Sequence, residues 1–463
     1  MRILTAAFFD DNYGDMLIRT CFLQLTKVAL QNLGISDYTL DVMPLKAPDD
    51  EQIVSADLIV FAGGAMFGIN YLGVASHIEH VLQLANERGI PVMFSSLGMN
   101  QMETADESYD RLHVMLSYPC IRAFSVRDSD SLFRRYAGEQ SYTIQSVCDP
   151  AVWIGSVYAQ DIADALASKK SRSIPLVGIN VVRGGLFKDN GVDWTLTKEE
   201  EYLCAFSQML EQRGIDYRFF TNGSTWDINT LRHFEKKYQI PREKLIISET
   251  SREVVQAIAS FDAVIAIRMH ASIIAYALSV PSVNYIWNPK IPDLYRKIGY
   301  PQRAVAPQDW SAETAVQMTE ALLKERDYHP DPAVLMTLYR FLYDSYAAIL
   351  APTEAPAIYD HDTVCERLRK MTVPADEDTI DMRTKLKRAE SRYYALFISD
   401  DRKKGDIRRL KKDSDQLRRQ LEIERSKRQK AEKERDAALS ELKRLSQKRS
   451  FRAYKKIFDH NNT

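Results

Sequence analysis

Short apolar runs alternate with longer amphipathic stretches through the first half of the chain. The apolar runs favour buried strands, and the stretches between them repeat their apolar positions with helical spacing. The predicted strands are residues 3–9, 58–62, 91–97 and 123–126, and the predicted helices are residues 16–33, 77–88 and about 128–136. This rhythm is typical of a parallel sheet covered by helices.

The same rhythm begins again after a polar stretch at residues 160–173. Predicted strands at residues 176–182, 217–221, 245–247, 263–267 and 282–285 alternate with predicted helices at 198–213, 228–238, 251–260 and 271–278. Two α/β halves of similar size indicate two Rossmann-like domains facing a cleft, over residues 1–165 and 166–350. Ligands of such sheets bind beyond the carboxyl ends of the strands, so a site is expected in those loops.

The C-terminal part of the chain follows another pattern. Residues 311–350 predict closing helices, and residues 351–380, where three prolines stand among acidic residues, predict a linker. Residues 381–450 are rich in Lys, Arg, Glu and Leu and predict a helical arm. A heptad frame fits the arm, but several seam residues are charged or small. A weak coiled coil that makes a homo-oligomer and a solvated single helix are therefore both open.

Charge is distributed unevenly along a chain whose formal net charge is −1. Residues 401–450 contain 19 Lys and Arg against 10 Asp and Glu. A basic arm on an acidic body indicates a contact with a polyanion or an anionic membrane surface, although a solvated helix explains it as well. The near-neutral total gives no reason to expect a nucleic-acid partner.

The five cysteines and the N-terminal residues bear on the cell compartment. Five is an odd number and no Cys-x-x-Cys pair occurs, so we expect unpaired thiols in a reducing environment and neither a zinc site nor a disulfide framework. Asp10 and Asp11 interrupt the N-terminal apolar run too early for a signal peptide. No apolar run approaches the roughly 18 residues of a membrane span. The sequence predicts a cytoplasmic protein, with any membrane contact peripheral at the inner face.

A strand-end tripeptide, Arg268-Met269-His270, is the first candidate for chemistry. It follows the apolar run 263–267 and precedes a predicted helix. The N–H groups of a helix N-terminus favour anions, a guanidinium grips a carboxylate or phosphate with two hydrogen bonds, and an imidazole moves protons near neutral pH. An arginine that pairs with the other half of the chain, beside a satisfied core histidine, explains the same residues equally well.

Two further cations follow predicted strands of the second half. Lys290 comes after the strand next to the one that ends at Arg268, so both side chains should reach the same edge of the sheet. Arg183, followed by Gly184 and Gly185, offers a flexible basic loop after the first strand of this half. A lysine on the surface with no ligand is the ordinary alternative for Lys290.

The first half has polar and glycine-rich loops in equivalent places. Asn12 and Asp15 suit a tight turn and the start of a helix, and Gly63 and Gly64 let backbone N–H groups approach a ligand. Arg127 follows a predicted strand and has Asp128 beside it. Each loop would also form without a ligand, as a turn or a helix cap.

In combination these motifs resemble the polysaccharide pyruvyl transferase family, over about residues 1–300. The resemblance rests on the order and spacing of Asn12-Tyr13-Gly14-Asp15, Gly63-Gly64, Ser125-Val126-Arg127-Asp128, Asp149-Pro150-Ala151, Arg268-Met269-His270-Ala271 and Pro289-Lys290. Two positions depart from the family pattern: Ala65 replaces a third glycine, and Met269 replaces the usual leucine. The C-terminal arm lies outside the resemblance.

The resemblance implies a fold similar to that of GT-B glycosyltransferases, with phosphoenolpyruvate as the co-substrate and no cofactor or metal. Arg268 and His270 match the family's catalytic Arg-x-His motif, Lys290 matches its lysine after the next strand, and Arg183 lies where a donor-binding arginine is expected. The implied acceptor is a sugar of a surface or cell-wall glycan, often on a lipid-linked precursor. The alternatives are a GT-B-like glycosyltransferase that uses a nucleotide sugar and a catalytically inactive scaffold.

Overall fold

The strands form two separate parallel sheets in the computed structural model, which describes residues 1–9, 12–67, 72–99, 107–350 and 356–373. The first sheet contains, in chain order, β1 Arg2–Ala7, β2 Thr39–Pro44, β3 Leu58–Ala62, β4 Ala65–Phe67, β5 Val92–Met99, β6 Ile121–Val126 and β7 Ile144–Ser146. The second contains β8 Leu176–Asn180, β9 Asp216–Phe220, β10 Leu245–Ile246, β11 Ala263–Ala266, β12 Ser282–Tyr285 and β13 Ala304–Val305. The predicted arm at residues 381–450 lies outside the described residues.

The strand order shows that both sheets are doubly wound. It is β2-β1-β3-β5-β6-β7 in the first sheet, with β4 beside β5, and β10-β9-β8-β11-β12-β13 in the second. The chain therefore changes direction once in each sheet, between β1 and β3 and between β8 and β11, and ligand crevices of such sheets open at these switch points. The predicted class, an α/β fold with two Rossmann-like domains, is confirmed.

The connections between strands are mostly helical, and the helices carry the apolar residues that cover the sheets. β3 and β8 are buried along their whole length, as expected for parallel strands with helices on both faces. No helix among the described residues has the length and apolar character needed to cross a bilayer. The helices are α1 Tyr13–Asn32, α2 Asp50–Val54, α3 Leu72–Arg88, α4 Glu107–Leu116, α5 Asp130–Ala137, α6 Ile154–Val157, α7 Ala163–Ser171, α8 Leu186–Asp189, α9 Leu196–Gln212, α10 Thr225–Tyr238, α11 Ser251–Ser260, α12 Met269–Ala277, α13 Lys290–Lys297, α14 Ala312–Lys324, α15 Pro332–Leu350 and α16 His361–Arg369.

The last two helices pack on the first domain, which corrects the predicted division of the chain. On α15, the Tyr339 hydroxyl donates to Asn32 Oδ1 of α1 at 2.9 Å, and the Tyr346 hydroxyl lies 3.0 Å from that of Thr26. Residues 332–350 therefore belong with the first half, although they were predicted as part of the second.

The predicted linker at residues 351–380 contains the buried helix α16. Its apolar side chains Val364, Cys365 and Leu368 lie in the core because their spacing places them on one helix face. Asn32 holds the chain just before this helix, donating to the Ala357 carbonyl at 3.0 Å and accepting the Tyr359 N–H at 2.8 Å. The description as a linker is wrong for residues 356–373.

Candidate active site

The carboxyl ends of the two sheets meet at the loop between β1 and α1. The Tyr13 N–H donates to the Asn222 carbonyl, just beyond β9, at 3.1 Å. A Cβ on Gly14 would lie 2.1 Å from Nδ1 of His270, and a Cβ on Gly223 would lie 1.7 Å from the Tyr13 ring. Glycine is needed at both places because neither side chain leaves room for a methyl group.

The loop that carries Arg268 is held by buried asparagines from the neighbouring strands. Asn180, at the end of β8, accepts the N–H groups of Ile267 at 3.3 Å and Arg268 at 2.8 Å. Asn284 of β12 donates to the Arg268 carbonyl at 3.2 Å. The peptide at the start of α12 is thus fixed from both sides, which fixes the positions from which the Arg268 and His270 side chains extend.

The Arg268 guanidinium binds a carboxylate of its own domain. Its Nε and Nη2 donate to the two oxygens of Asp227, in the first turn of α10, at 2.9 and 2.6 Å. Asp227 is fully buried, whereas the Arg268 side chain keeps 23% exposure. This carboxylate lies in the same half of the chain as Arg268, not in the other half.

Arg183 approaches this network through its backbone. Its N–H donates to Asp227 Oδ1 at 2.8 Å, while its guanidinium forms an ion pair with Asp189 at 2.6 Å. The Arg183 backbone thus lies beside the Arg268 ion pair. Its guanidinium points instead to Asp189, the last residue of the short helix α8.

His270 lies in the second position of α12 with 9% of its surface exposed. Its Nε2 is buried, and within the described part of the chain it has no hydrogen-bond partner. Burial lowers the pKa of His270 well below its usual 6.5, and the charges of Arg127, Lys290 and Arg268 lower it further. The imidazole is therefore neutral at pH 7 and has three cations around it.

Lys290, the first residue of α13, is half-buried in the same cluster. Burial lowers its pKa to about 8, with Asp128 and Asp15 acting in the opposite direction and Arg127 in the same one. None of the carboxylates in the described ranges forms an ion pair with Lys290 within 4 Å. Its ammonium group is thus available to an anion.

The first domain contributes Arg127 and the carboxylates around it. Arg127 is 6% exposed and forms ion pairs with Asp149 and, at 3.8 Å, with Asp128. Burial disfavours its charge, but the charges of Asp149, Asp128 and Asp15 outweigh burial and raise its pKa. Lys297 of α13 joins the halves here, donating to the Arg127 carbonyl at 2.6 Å and the Val147 carbonyl at 2.8 Å.

The remaining predicted residues surround this cluster. Asn12 caps α1 through the Gly14 N–H at 3.1 Å and donates to Asp15 at 2.9 Å. Gly63 and Gly64 have φ of 61° and 85°, and a Cβ on Gly64 would lie 4.0 Å from Asp15 Oδ1. Met269 is half-buried and lines a small cavity with Arg127, Asp149 and Lys297.

Comparison with known proteins supplies the family. A family model described as polysaccharide pyruvyl transferase matches residues 12–289, more than half of the chain. The chain belongs to the polysaccharide pyruvyl transferase family. The matched range includes all the site residues above except Lys290, which follows it directly, and Lys297, at the end of α13. No curated protein matches the chain.

Solved structures similar to this pyruvyl transferase family member share little sequence with it. A putative UDP-N-acetylglucosamine 2-epimerase from Listeria monocytogenes is 10% identical, with 77% of this chain and 99% of that chain covered and a TM-score of 0.49. The UDP-GlcNAc 2-epimerase from Methanocaldococcus jannaschii is 10% identical, with 76% and 99% covered and a TM-score of 0.47. The ADP-heptose lps heptosyltransferase II of E. coli is 13% identical, with 70% and 98% covered and a TM-score of 0.37.

Sequence reasoning missed four polar residues that build this pyruvyl transferase family site: Asn180, Asn222, Asp227 and Lys297. Each lies at or after a strand of the second sheet, which is a usable signal. An acidic residue in the first turn of a helix is ordinarily explained by the helix dipole, however, and Asp227 looks no different in the sequence. Its role depends on packing between α10 and the end of β11.

Glu199 of α9 gives the pyruvyl transferase family member a pH-dependent stability. It is 2% exposed, and burial, with the charges of Asp227 and Glu200, raises its pKa from 4.5 to about 8. The unfolded chain loses this proton near pH 4.5 and the folded chain only near pH 8, so stability falls by about 1.4 kcal/mol per pH unit between these values. We expect Glu199→Gln to be increasingly more stable than the wild type as the pH rises from 5 to 8.

Unfolding free energies of the two proteins at pH 5, 6.5 and 8 check this prediction. A difference that does not change with pH would show that Glu199 is ionised in the folded protein. Glu253→Gln, at an exposed helix N-terminus, is the control for the change from carboxylate to amide.

Proposed function

We propose that this transferase moves the enolpyruvyl unit of phosphoenolpyruvate onto two hydroxyls of one sugar residue. The products are a cyclic pyruvate ketal and inorganic phosphate, and the acceptor is a surface or cell-wall glycan precursor. The observation that carries the proposal is a neutral, buried imidazole, His270, among Arg127, Lys290 and Arg268. Family membership supports the reaction class.

The donor's charge explains the cations. Phosphoenolpyruvate bears a phosphate and a carboxylate close together, and several positive groups are needed to hold both. Lys290, which has no carboxylate of the described ranges within ion-pair distance, is the proposed phosphate contact. Arg268 meets the donor from a position set by Asp227, and Arg127 adds positive potential from the first domain.

His270 is proposed to carry the proton. Because the imidazole is neutral, it accepts the proton of the first sugar hydroxyl as that oxygen attacks the carbon that bears the phosphate. In the same step this proton passes to the methylene carbon, which becomes the methyl group, because the carbon that bears the phosphate is electrophilic only as its neighbour is protonated. The second hydroxyl then replaces phosphate at the same carbon, the bond from that carbon to the phosphate oxygen breaks, and the second proton leaves with the phosphate.

Admission of the donor requires the two sheets to separate at the joint. His270 Nε2 is covered, with Gly14 of the first domain against its ring. A backbone hydrogen bond from Tyr13 to Asn222 joins the halves at this point. Hinge motion between two α/β domains is a common way to open and close such a cleft.

Lys290 predicts an alkaline limit for donor capture. Its pKa of about 8 means that the ammonium charge is present below pH 8 and lost above it. We expect kcat/KM for phosphoenolpyruvate, which reports the free enzyme, to fall above about pH 8. Lys290→Arg keeps its charge at every accessible pH, so the fall in kcat/KM of this variant should begin at a higher pH. If kcat/KM of Lys290→Arg falls at the same pH as that of the wild type, the fall is due to another group.

Calorimetry with alternative donors tests the proposed function. Titration of the wild-type protein with phosphoenolpyruvate should give a saturable binding isotherm. Titration with UDP-sugars should show no binding. Saturable binding of a UDP-sugar without binding of phosphoenolpyruvate would replace the proposal by a nucleotide-sugar glycosyltransferase. Binding of neither would favour a scaffold without catalysis.

A further inference from the structure

The side chain of Asn222 lies at the switch point of the second sheet. Asn222 follows β9, and its Oδ1 accepts from Asn180 Nδ2 at the end of β8 at 3.1 Å. β8 borders the point where the strand order reverses, between β8 and β11. The Asn222 amide therefore extends toward the crevice where doubly wound sheets bind ligands.

The hydrogen bonds determine which way this amide points. Asn180 Oδ1 accepts the N–H groups of Ile267 and Arg268, so the Asn180 Nδ2 must be the atom that faces Asn222. Only an oxygen can accept from it, which assigns the facing atom of Asn222 as Oδ1 and leaves its Nδ2 directed elsewhere.

The Nδ2 group of Asn222 has no partner within the described ranges, although the residue is only 1% exposed. Buried polar groups are nearly always hydrogen-bonded, so an amide nitrogen whose two N–H groups have no acceptor points to a ligand that supplies one. Polar atoms of Glu199, Thr5 and other residues are also unpaired, but Asn222 contacts the same loop of the first domain as His270 does.

Tyr13 and Gly14 connect Asn222 to His270. Tyr13 contacts Asn222 through its N–H, and Gly14 contacts the His270 ring. Consecutive Cα atoms are about 3.8 Å apart, so one dipeptide of the first domain contacts both Asn222, at its carbonyl, and His270, at the Nδ1 side of its ring. Separation of the sheets at this dipeptide would expose the two together.

We propose that Asn222 is a donor-binding residue whose Nδ2 donates hydrogen bonds to an anionic oxygen of the bound donor. This inference rests on the proposed function, because it takes phosphoenolpyruvate as the donor. The Asn222 amide is uncharged and can donate to a carboxylate or phosphate oxygen near the end of β8, where Asn180 holds it. Asn180 positions it, by the same amide that positions the Arg268 peptide.

Two substitutions with calorimetric titration of phosphoenolpyruvate test the proposal. Asn222→Asp keeps the oxygen that Asn180 needs and removes the donor, while Asn222→Ala removes the donor without adding charge. Both should weaken the Kd by about 10-fold or more, as expected for a hydrogen bond to a charged group. Asn32→Ala, at a buried asparagine of α1, is the matched control. It should lower Tm and leave the Kd unchanged.

The outcomes separate this inference from the proposed function. Wild-type Kd values in both variants, with phosphoenolpyruvate bound by the wild type, overturn the role of Asn222 alone. Weaker binding in Asn222→Asp with normal binding in Asn222→Ala also overturns it, because charge repulsion would then be the cause. Failure of the wild type to bind phosphoenolpyruvate overturns the proposed function and the inference together.

Discussion

Replacing His270 by alanine is expected to lower the rate of the proposed pyruvyl transfer by about 10²–10⁴-fold, the usual contribution of a positioned proton carrier. The fold should survive, because the imidazole is neutral and its removal leaves no buried charge without a partner. Initial rates of phosphate release in the presence of phosphoenolpyruvate and acceptor, with thermal unfolding of the same preparations, measure both effects.

A second histidine provides the control for His270. His233 lies on α10, where it is 3.3 Å from Glu200 and 31% exposed. His233→Ala should keep a rate near that of the wild type. A near-wild-type rate in His270→Ala would remove His270 from the mechanism, and His270→Gln, which is closer in volume, answers the question if the alanine variant does not fold.

Replacing Asp227 by alanine is expected to lower the free energy of unfolding by about 3–5 kcal/mol, the typical cost of removing one partner of a buried ion pair. Asp227 is fully buried and accepts two hydrogen bonds from Arg268 and one from the Arg183 N–H. The Arg268 guanidinium would also lose its fixed direction, so KM for phosphoenolpyruvate should rise in preparations that remain folded. Thermal or urea unfolding and steady-state kinetics are the measurements.

The matched control is the exposed ion pair of the same loop. Asp189 pairs with Arg183 at 2.6 Å but is 57% exposed, and exposed pairs contribute about 0–1 kcal/mol. Asp189→Ala should therefore have a free energy of unfolding and a turnover rate close to those of the wild type. Equal stabilities of Asp227→Ala and Asp189→Ala would show that the buried pair does not organise the site.

The two sheets could be predicted because their strands are apolar runs separated by amphipathic helices. Once parallel strands are inferred, Arg268, Lys290 and Arg127 are expected at carboxyl edges without further information. The structure places these three cations around one imidazole. The sequence did not predict that Arg268 would bind Asp227, since that pairing depends on how α10 packs beside β11.

Other features depend on burial, which a pattern of residues does not report. The apolar positions of α16 were obscured by nearby prolines and acidic residues, so a packed helix was mistaken for a linker. From the sequence, His270 could equally have been an acid or a base. Desolvation and three neighbouring charges lower its pKa and favour the base.

The most direct test of the proposed reaction is reconstitution with purified full-length protein. Phosphoenolpyruvate is incubated with glycan precursors isolated from cells that lack this protein, and the glycan is examined by mass spectrometry while phosphate release is recorded. The proposed function predicts one pyruvate ketal formed for each phosphate released, and neither product with His270→Ala. Glycan that gains a sugar from a nucleotide sugar, and no ketal from phosphoenolpyruvate, would contradict it.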